Sequence, residues 1–363
     1  MRILYSFNKK GPEAEFWTRE LAAASNDRHQ FVPFNHEPYV ALPLYVRAQL
    51  LDNLYFDRLP GLMRMYSDFE EMLGRHRIDA VIVDNQFPYH PDYLRTIPVY
   101  KVLRMSDGPI IASDRDFVYL HAYDHALYHS PAYSRDMDMA EKLRYCGVKR
   151  ADFWPLGLFE SRYDSHKTED ELMKQRRDID VLFIGAMHVN KMPLIARMKK
   201  VFGKTIRTHG FSSLKKNIYF NLKYGFPGWI RPVEYDAILR LYQRAKIGIN
   251  VHNRGDYTVG NYRMFELPAN GVMQISDGGD NLERFFRVDQ EIVRYRSFDE
   301  LVEKTRWYLD HDAEREQIAR AAYWRVLKDY RMADLLQRAG DLIARGMRSQ
   351  NASEALDQQR TAQ

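Results

Sequence analysis

Between Lys246 and Gly279 the chain reads KIGINVHNRGDYTVGNYRMFELPANGVMQISDGG: strand, polar loop, helix start, second strand and glycine turn. An α/β protein builds nucleotide sites from such a series, because free amides at a helix start face phosphate and a nearby carboxylate can reach a ribose. Lys246 to His252 has the composition of a short buried strand, and Tyr262, Phe265, Leu267 and Ala269 give helical spacing over Asn261 to Asn270. Gly271 stands where a C′ glycine would close that helix. Glu266 falls near its first turns, where its oxygens can accept hydrogen bonds from the vicinal hydroxyls of a ribose. A solvated helix glutamate beside an ordinary cap is the competing reading. Arg263, one helical turn before Glu266, can reach the same phosphates, and Asn261 and Tyr257 are further candidates for sugar or base contacts.

The elements that must position these residues alternate along the chain. Arg2 to Phe7 reads as a strand, Pro12 to Ala24 as a helix and His29 to Phe34 as a second strand. A long helical region from Leu50 to Leu73 precedes the strand Asp79 to Asp84 and the short apolar runs Val99 to Leu103 and His125 to His129. A helix over Tyr133 to Tyr145 ends at Gly147, with Phe153 to Leu156 as the last strand of this half. The polar passage after Glu160 reads as a linker with a short helix, and Asp180 to Gly185, DVLFIG, opens a second βα series. Gly185 ends that strand, at a tight turn where backbone can approach a phosphate. Helices over Met192 to Phe202 and Glu234 to Arg244 and strands over Thr205 to His209 and Gln290 to Tyr295 belong to the same series. Phe298 to Leu309, Ala313 to Lys328 and Met332 to Met347 read as a helical C-terminus. The expected domains are residues 1–160, a linker 161–179, a second α/β domain 180–330, a C-terminal helix 331–348 and a disordered polar tail 349–363. Strands alternating with helices imply parallel sheets covered on both faces.

The 363 residues suffice for two cores, and 45% hydrophobic with 28% charged residues is a globular composition. No run of 18 apolar residues occurs, and MRILYSFNKK enters a strand without a signal-peptide pattern, so a cytoplasmic location is expected. The single cysteine, Cys146, excludes an internal disulfide and suits a buried or capping role. The net charge of +5 is unevenly spread: between Asp180 and Glu234 there is no acidic residue, while basic residues recur from Lys191 to Arg231. Aromatic residues interleave with them from Phe211 to Trp229. A solvated basic face, an anionic-substrate site and peripheral contact with a membrane surface all fit that pattern; no nucleic-acid motif accompanies it. No G-x-G-x-x-G follows a strand, which argues against a nicotinamide cofactor. D-x-D recurs at Asp114-Arg-Asp116, Asp136-Met-Asp138 and Asp178-Ile-Asp180; such repetition in an aspartate-rich chain carries little information, and no metal is expected.

Glu266-Leu-Pro-Ala-Asn-Gly271, the strand Val272 to Ser276 and Asp277-Gly278-Gly279 resemble the donor-site signature of GT-B glycosyltransferases. The group most similar is that of spore-maturation CgeB-like proteins, related to family-four retaining enzymes; the resemblance covers Asp180 to Leu342 and extends only loosely to the first half. It implies a GT-B fold, two facing Rossmann-like domains with a cleft between them and a helical C-terminus, and a ribose contact at Glu266. It also implies donor contacts at Gly278 and Gly279 and a diphosphate contact at Lys191, for which a solvent-facing helix amine is the alternative. The family-four E-x7-E pattern is broken, since Thr258 stands where the first Glu is expected. In the first half, Glu13 and Glu15 follow the first strand where similar enzymes approach donor and acceptor, although first-turn helix acids would look the same. Asp107 follows a strand where family-four enzymes often carry His-Asp, and Ser106 replaces the His.

The activity so implied is transfer of a sugar from a nucleoside diphosphate sugar to an acceptor hydroxyl, without metal or other cofactor, in polysaccharide or glycoconjugate synthesis. The acceptor would be a saccharide or lipid-linked, and Glu13, Glu15 or Asp107 would be the base of an inverting reaction. A sugar-nucleotide epimerase of similar fold and a nucleotide-sugar-binding pseudoenzyme stay open as alternatives.

Overall fold

A computed structural model describes residues 1–40, 48–210, 213–253 and 259–361. The chain divides into two compact units: Met1–Leu156 joined by Met332–Gln363, and Gly157–Arg331.

The first unit is built from β1 (Arg2–Phe7), α1 (Pro12–Ala24), β2 (Gln30–Asn35), α2 (Ala48–Phe56), α3 (Pro60–His76), β3 (Ala80–Asp84), α4 (Pro91–Thr96), β4 (Tyr100–Met105), α5 (Pro109–Arg115), β5 (His125–Tyr128), β6 (Ala132–Ser134), β7 (Met137–Asp138), α6 (Met139–Tyr145) and β8 (Ala151–Phe153). Its six-stranded sheet has the order β2-β1-β3-β4-β5-β8, with every pairing parallel. Central strands of a sheet covered on both faces are apolar throughout, and all of β3 is buried. In α3, Leu62, Met65, Phe69 and Leu73 repeat at helical spacing and are buried against the sheet.

The helical region expected from Leu50 to Leu73 is two helices. Arg58 turns left-handed at φ 52° and Pro60 opens α3 at its first turn, which breaks the run. The helix expected from Tyr133 starts only at Met139, because Ala132 to Asp138 fold into the antiparallel hairpin β6–β7. Cys146 is the half-buried C-cap of α6.

The second unit contains α7 (Glu169–Met173), β9 (Ile179–Ile184), α8 (Met192–Phe202), β10 (Ile206–His209), α9 (Leu214–Tyr224), α10 (Tyr235–Gln243), β11 (Ala245–Asn250), α11 (Arg263–Ala269), β12 (Met273–Ser276), β13 (Val293–Arg294), α12 (Phe298–Asp310) and α13 (Asp312–Asp329). Its five-stranded sheet runs β10-β9-β11-β12-β13, again parallel throughout. The passage expected as a linker belongs to this unit's body: Thr168 and Glu171 form a capping box on α7, and Leu172 and Met173 are buried in the core. Helix α9 has no sequence-based expectation: its apolar residues are split between faces, Phe220 inward and Leu214, Ile218 and Leu222 outward, so no single core-facing stripe marks it.

Helix α14 (Met332–Thr361) returns to the first unit. Trp154 Nε1 donates to the Leu335 carbonyl at 2.7 Å, Asp341 pairs with His29 at 3.0 Å, and Gly340 lets the helix approach the His29 ring. The tail expected to be disordered continues as helix to Thr361; NASEALDQQR consists mainly of residues that favour helix, so polarity there did not mean irregular backbone.

Both sheets share one topology: the second strand lies outside the first, and the third on its other side. Each therefore has a switch point, between β1 and β3 in one unit and between β9 and β11 in the other. Ligands of open α/β sheets bind at the carboxyl ends of the strands beside that point.

Candidate functional site

At the carboxyl end of β9 the chain turns at Gly185. A Cβ there would fall 2.1 Å from Arg263 Nη2, so the glycine is what lets the guanidinium lie against the turn. Gly210, after β10, packs equally close, since its Cβ would lie 2.2 Å from the Gly185 carbonyl oxygen. Arg263, at the start of α11, donates from Nη1 to Asn250 Oδ1 at 2.8 Å and lies over the Phe183 ring. Asn250 ends β11 fully buried, and the same Oδ1 accepts from Asn261 Nδ2 at 2.9 Å. Asn250 Nδ2 in turn meets Gln274 Oε1, and Gln274 Nε2 donates to the Met264 carbonyl. The ends of β11, α11 and β12 are thereby fixed to one another by side-chain amides.

Lys191 stands beside this network, before α8, with only 4% of its surface exposed. Among the described residues its Nζ has no hydrogen bond or ion-pair partner. Burial, with Arg263 nearby, lowers its pKa to about 7, and Asp277 offsets this only in part. The solvent-facing alternative is excluded for Lys191. A buried, partly neutral amine beside a fixed guanidinium is poised to gain a proton when an anion arrives.

Glu266 is also buried, not solvated. Tyr242 donates to its Oε2 at 3.0 Å and Arg162 Nε lies 3.4 Å from Oε1. Asn261 has a structural task as well, since its Oδ1 caps the Met264 amide. Gly278 and Gly279 have φ of 118° and 54° and carry the chain from β12 into a short 3-10 turn, Gly279–Arg284. A side chain at Gly278 would press on Val259. Asp277, just before them, accepts from the His252 amide at 2.9 Å and pairs with His252 Nδ1 at 2.6 Å. Tyr257 and Thr258 lie outside the described residues.

In the first unit, Asp107 does not stand free. Arg115 Nη1 holds it at 2.9 Å, and Arg115 also binds buried Asp116 and Asn85 Oδ1. Asp116 further accepts from the Gln86 amide at 3.0 Å. Arg115 thereby holds the Asp107 carboxylate in a fixed orientation. Glu13 and Glu15 are exposed in the first turn of α1, Glu13 paired with Lys9 at 3.5 Å; among the described residues no hydrogen bond or ion pair joins either to Asp107. Of the D-x-D aspartates, Asp116 is bound by Arg115, Asp178 by Arg244 and Asp180 by Lys246.

Asn250, His252 and Gln274, which build the site, and Tyr242 and Arg162, which support Glu266, are not among the residues expected from the sequence. The first three had a signal: a polar residue inside or ending an apolar strand, as in KIGINVH and VMQIS. Tyr242 and Arg162 had none, being ordinary residues far off in sequence.

Residues 194–341 match the family described as glycosyl transferase-like, a segment reaching from α8 through the second unit into α14. Among solved structures, sucrose-phosphate synthase from Thermosynechococcus elongatus is similar with a TM-score of 0.64 at 12% identity, covering 96% of this chain and 100% of that one. HepE of Anabaena in complex with UDP and glucose gives 0.61 at 11%, covering 95% and 99%. An α-glucosyltransferase in complex with UDP-glucose and DNA containing an abasic site gives 0.62 at 13%, covering 95% and 99%. No curated protein sequence matches this chain. The fold is the GT-B fold of these structures, and residues 194–341 match the glycosyl transferase-like family.

Proposed function

We propose that this protein transfers a hexosyl group from a nucleoside diphosphate sugar, a uridine diphosphate sugar in the first instance, to an acceptor hydroxyl, without a metal ion. The observation that carries the reading is that Arg263 lies against Gly185 at the β9/β11 switch point with the buried Lys191 near it, in the unit that holds most of the glycosyl transferase-like match. Two cations there neutralise a diphosphate, and stabilise it further as charge builds on the leaving group. Glu266, oriented by Tyr242 and Arg162, would take the ribose hydroxyls, and the glycine pair after β12 would give backbone access to the donor. Asp107, Glu13 and Glu15 remain the candidates on the acceptor side. The CgeB-like group is the membership we assign, on the Glu266 to Gly279 signature.

Incubation with a panel of nucleotide sugars, with and without saccharide and lipid-linked acceptors, tests this. Release of nucleoside diphosphate that rises with acceptor is the expected result. A new nucleotide sugar formed without acceptor would make the protein an epimerase, and tight donor binding with no turnover would make it a binding partner only.

A further inference from the structure

Helix α9 presents a face that its own unit does not cover. Asn217 and Phe220 point inward, while Leu214, Ile218 and Leu222, spaced i, i+4, i+8, form an outward stripe exposed by 66%, 47% and 83%. Tyr219 lies beside the stripe, exposed by 41%, with Lys223 over its ring and bonded to its hydroxyl at 2.6 Å. Lys215 and Lys216 are exposed on the same helix.

The loop after the helix is pinned rather than loose. Asn217 donates to the Ile230 carbonyl at 3.1 Å and accepts from its amide at 2.9 Å, and Asn221 donates to the Gly228 carbonyl at 3.2 Å. Trp229 sits between those anchor points and is still 55% exposed. Holding an indole outward by two buried or half-buried amides leaves apolar area in water that the fold itself never recovers.

Charge identifies what recovers it. No acidic residue occurs between Asp180 and Glu234, so Lys215, Lys216 and Lys223 accompany the apolar stripe on α9 without opposing charge from this segment. An apolar ridge with tyrosine and tryptophan at its margin and lysines around it is the composition of a helix lying in a bilayer interface. We propose that α9 and the Gly225–Arg231 loop form a peripheral docking surface for an anionic lipid bilayer. Among the described residues no hydrogen bond or ion pair joins Lys215, Lys216, Ile218, Leu222 or Trp229 to Lys191 or Arg263, so docking is measured without turnover, and its failure leaves the glycosyl-transfer reading untouched.

The test is co-sedimentation of the full chain with phosphatidylcholine vesicles and with vesicles containing phosphatidylglycerol. Binding to the anionic vesicles and little to the neutral ones is expected. Each lysine near the surface contributes about fivefold in partitioning, so Lys215→Gln with Lys216→Gln should lower it on the order of 25-fold. Ile218→Gln with Leu222→Gln, at exposed positions and expected to leave the thermal midpoint unchanged, should lower it at least tenfold. The blue shift of tryptophan emission on vesicle addition should vanish in Trp229→Phe. Absence of binding to anionic vesicles, or binding that the Ile218/Leu222 pair leaves unchanged, overturns the proposal. Concentration-dependent self-association abolished by that pair also overturns it, because the face would then belong to a second copy of the chain.

Discussion

Proton uptake at Lys191 should accompany nucleoside diphosphate binding. Burial holds this amine at about 7 in the free protein, against an ordinary value of 10.5. A diphosphate beside it would return the ammonium toward its ordinary pKa, a change of about three units, or roughly 4 kcal/mol of differential interaction. Affinity for uridine diphosphate should therefore fall about tenfold per pH unit above roughly pH 7, while affinity for uncharged uridine stays flat over that range. At about pH 8, close to 0.9 proton should be taken up per ligand, read by titration calorimetry in buffers of different ionisation heat. Lys191→Met, which keeps the length and removes the charge, should abolish the uptake. Uptake that persists in Lys191→Met, or a diphosphate affinity independent of pH, would refute the reasoning. The free protein gives a second readout. The unfolded chain binds a proton at Lys191 up to pH 10.5 and the folded one only to about 7, so this residue makes stability rise with pH across that window. Below it the full cost is present, at most roughly 5 kcal/mol. Lys191→Met should raise the thermal midpoint at pH 7 and flatten its pH dependence, because it removes the cost of burying the amine.

Gly185→Ala should displace the Arg263 guanidinium while leaving the fold intact, since the clash is with the far end of a flexible side chain. Its loss of kcat should approach that of Arg263→Ala, and the two changes should be markedly non-additive; full additivity would separate the two sites. Arg263→Ala itself should lower kcat more than donor affinity, and steady-state kinetics with a nucleotide sugar would show the opposite if Arg263 only binds the ground state. Glu266→Ala should weaken uridine diphosphate by on the order of 1.5–3 kcal/mol and also lower the melting temperature, as Arg162 and Tyr242 lose their partner. Tyr242→Phe separates these effects, because it should cost stability with a smaller change in calorimetric affinity. Transfer activity should survive excess EDTA, since cations rather than a divalent ion are assigned to the diphosphate; complete loss restored by magnesium or manganese would overturn that assignment.

Much of this architecture is legible in the sequence because parallel strands buried on both faces must be apolar over their whole length. DVLFIG, KIGIN and the run before Asp84 declare themselves without reference to any neighbour. The stretch from Asn261 to Gly279 is legible for the same reason: helix, turn and strand there follow from local spacing and a positive-φ glycine. Local spacing failed where a competing local structure was equally satisfied, as in the β6–β7 hairpin, or where helix-forming polar residues imitated a tail, as beyond Ser349. It also could not say whether a charged side chain is buried. Lys191 and Glu266 look like solvated helix residues until β9, β11 and their crossovers close around them, and Lys191 owes its lowered pKa to that enclosure and to the nearby guanidinium. On α9, composition alone shows lysines among aromatics; only packing decides that Phe220 is inside and Leu222 outside. Propensity and periodicity act between neighbours in sequence, whereas desolvation and charge pairing depend on what the fold brings near, and the chemistry of this protein rests on the second kind.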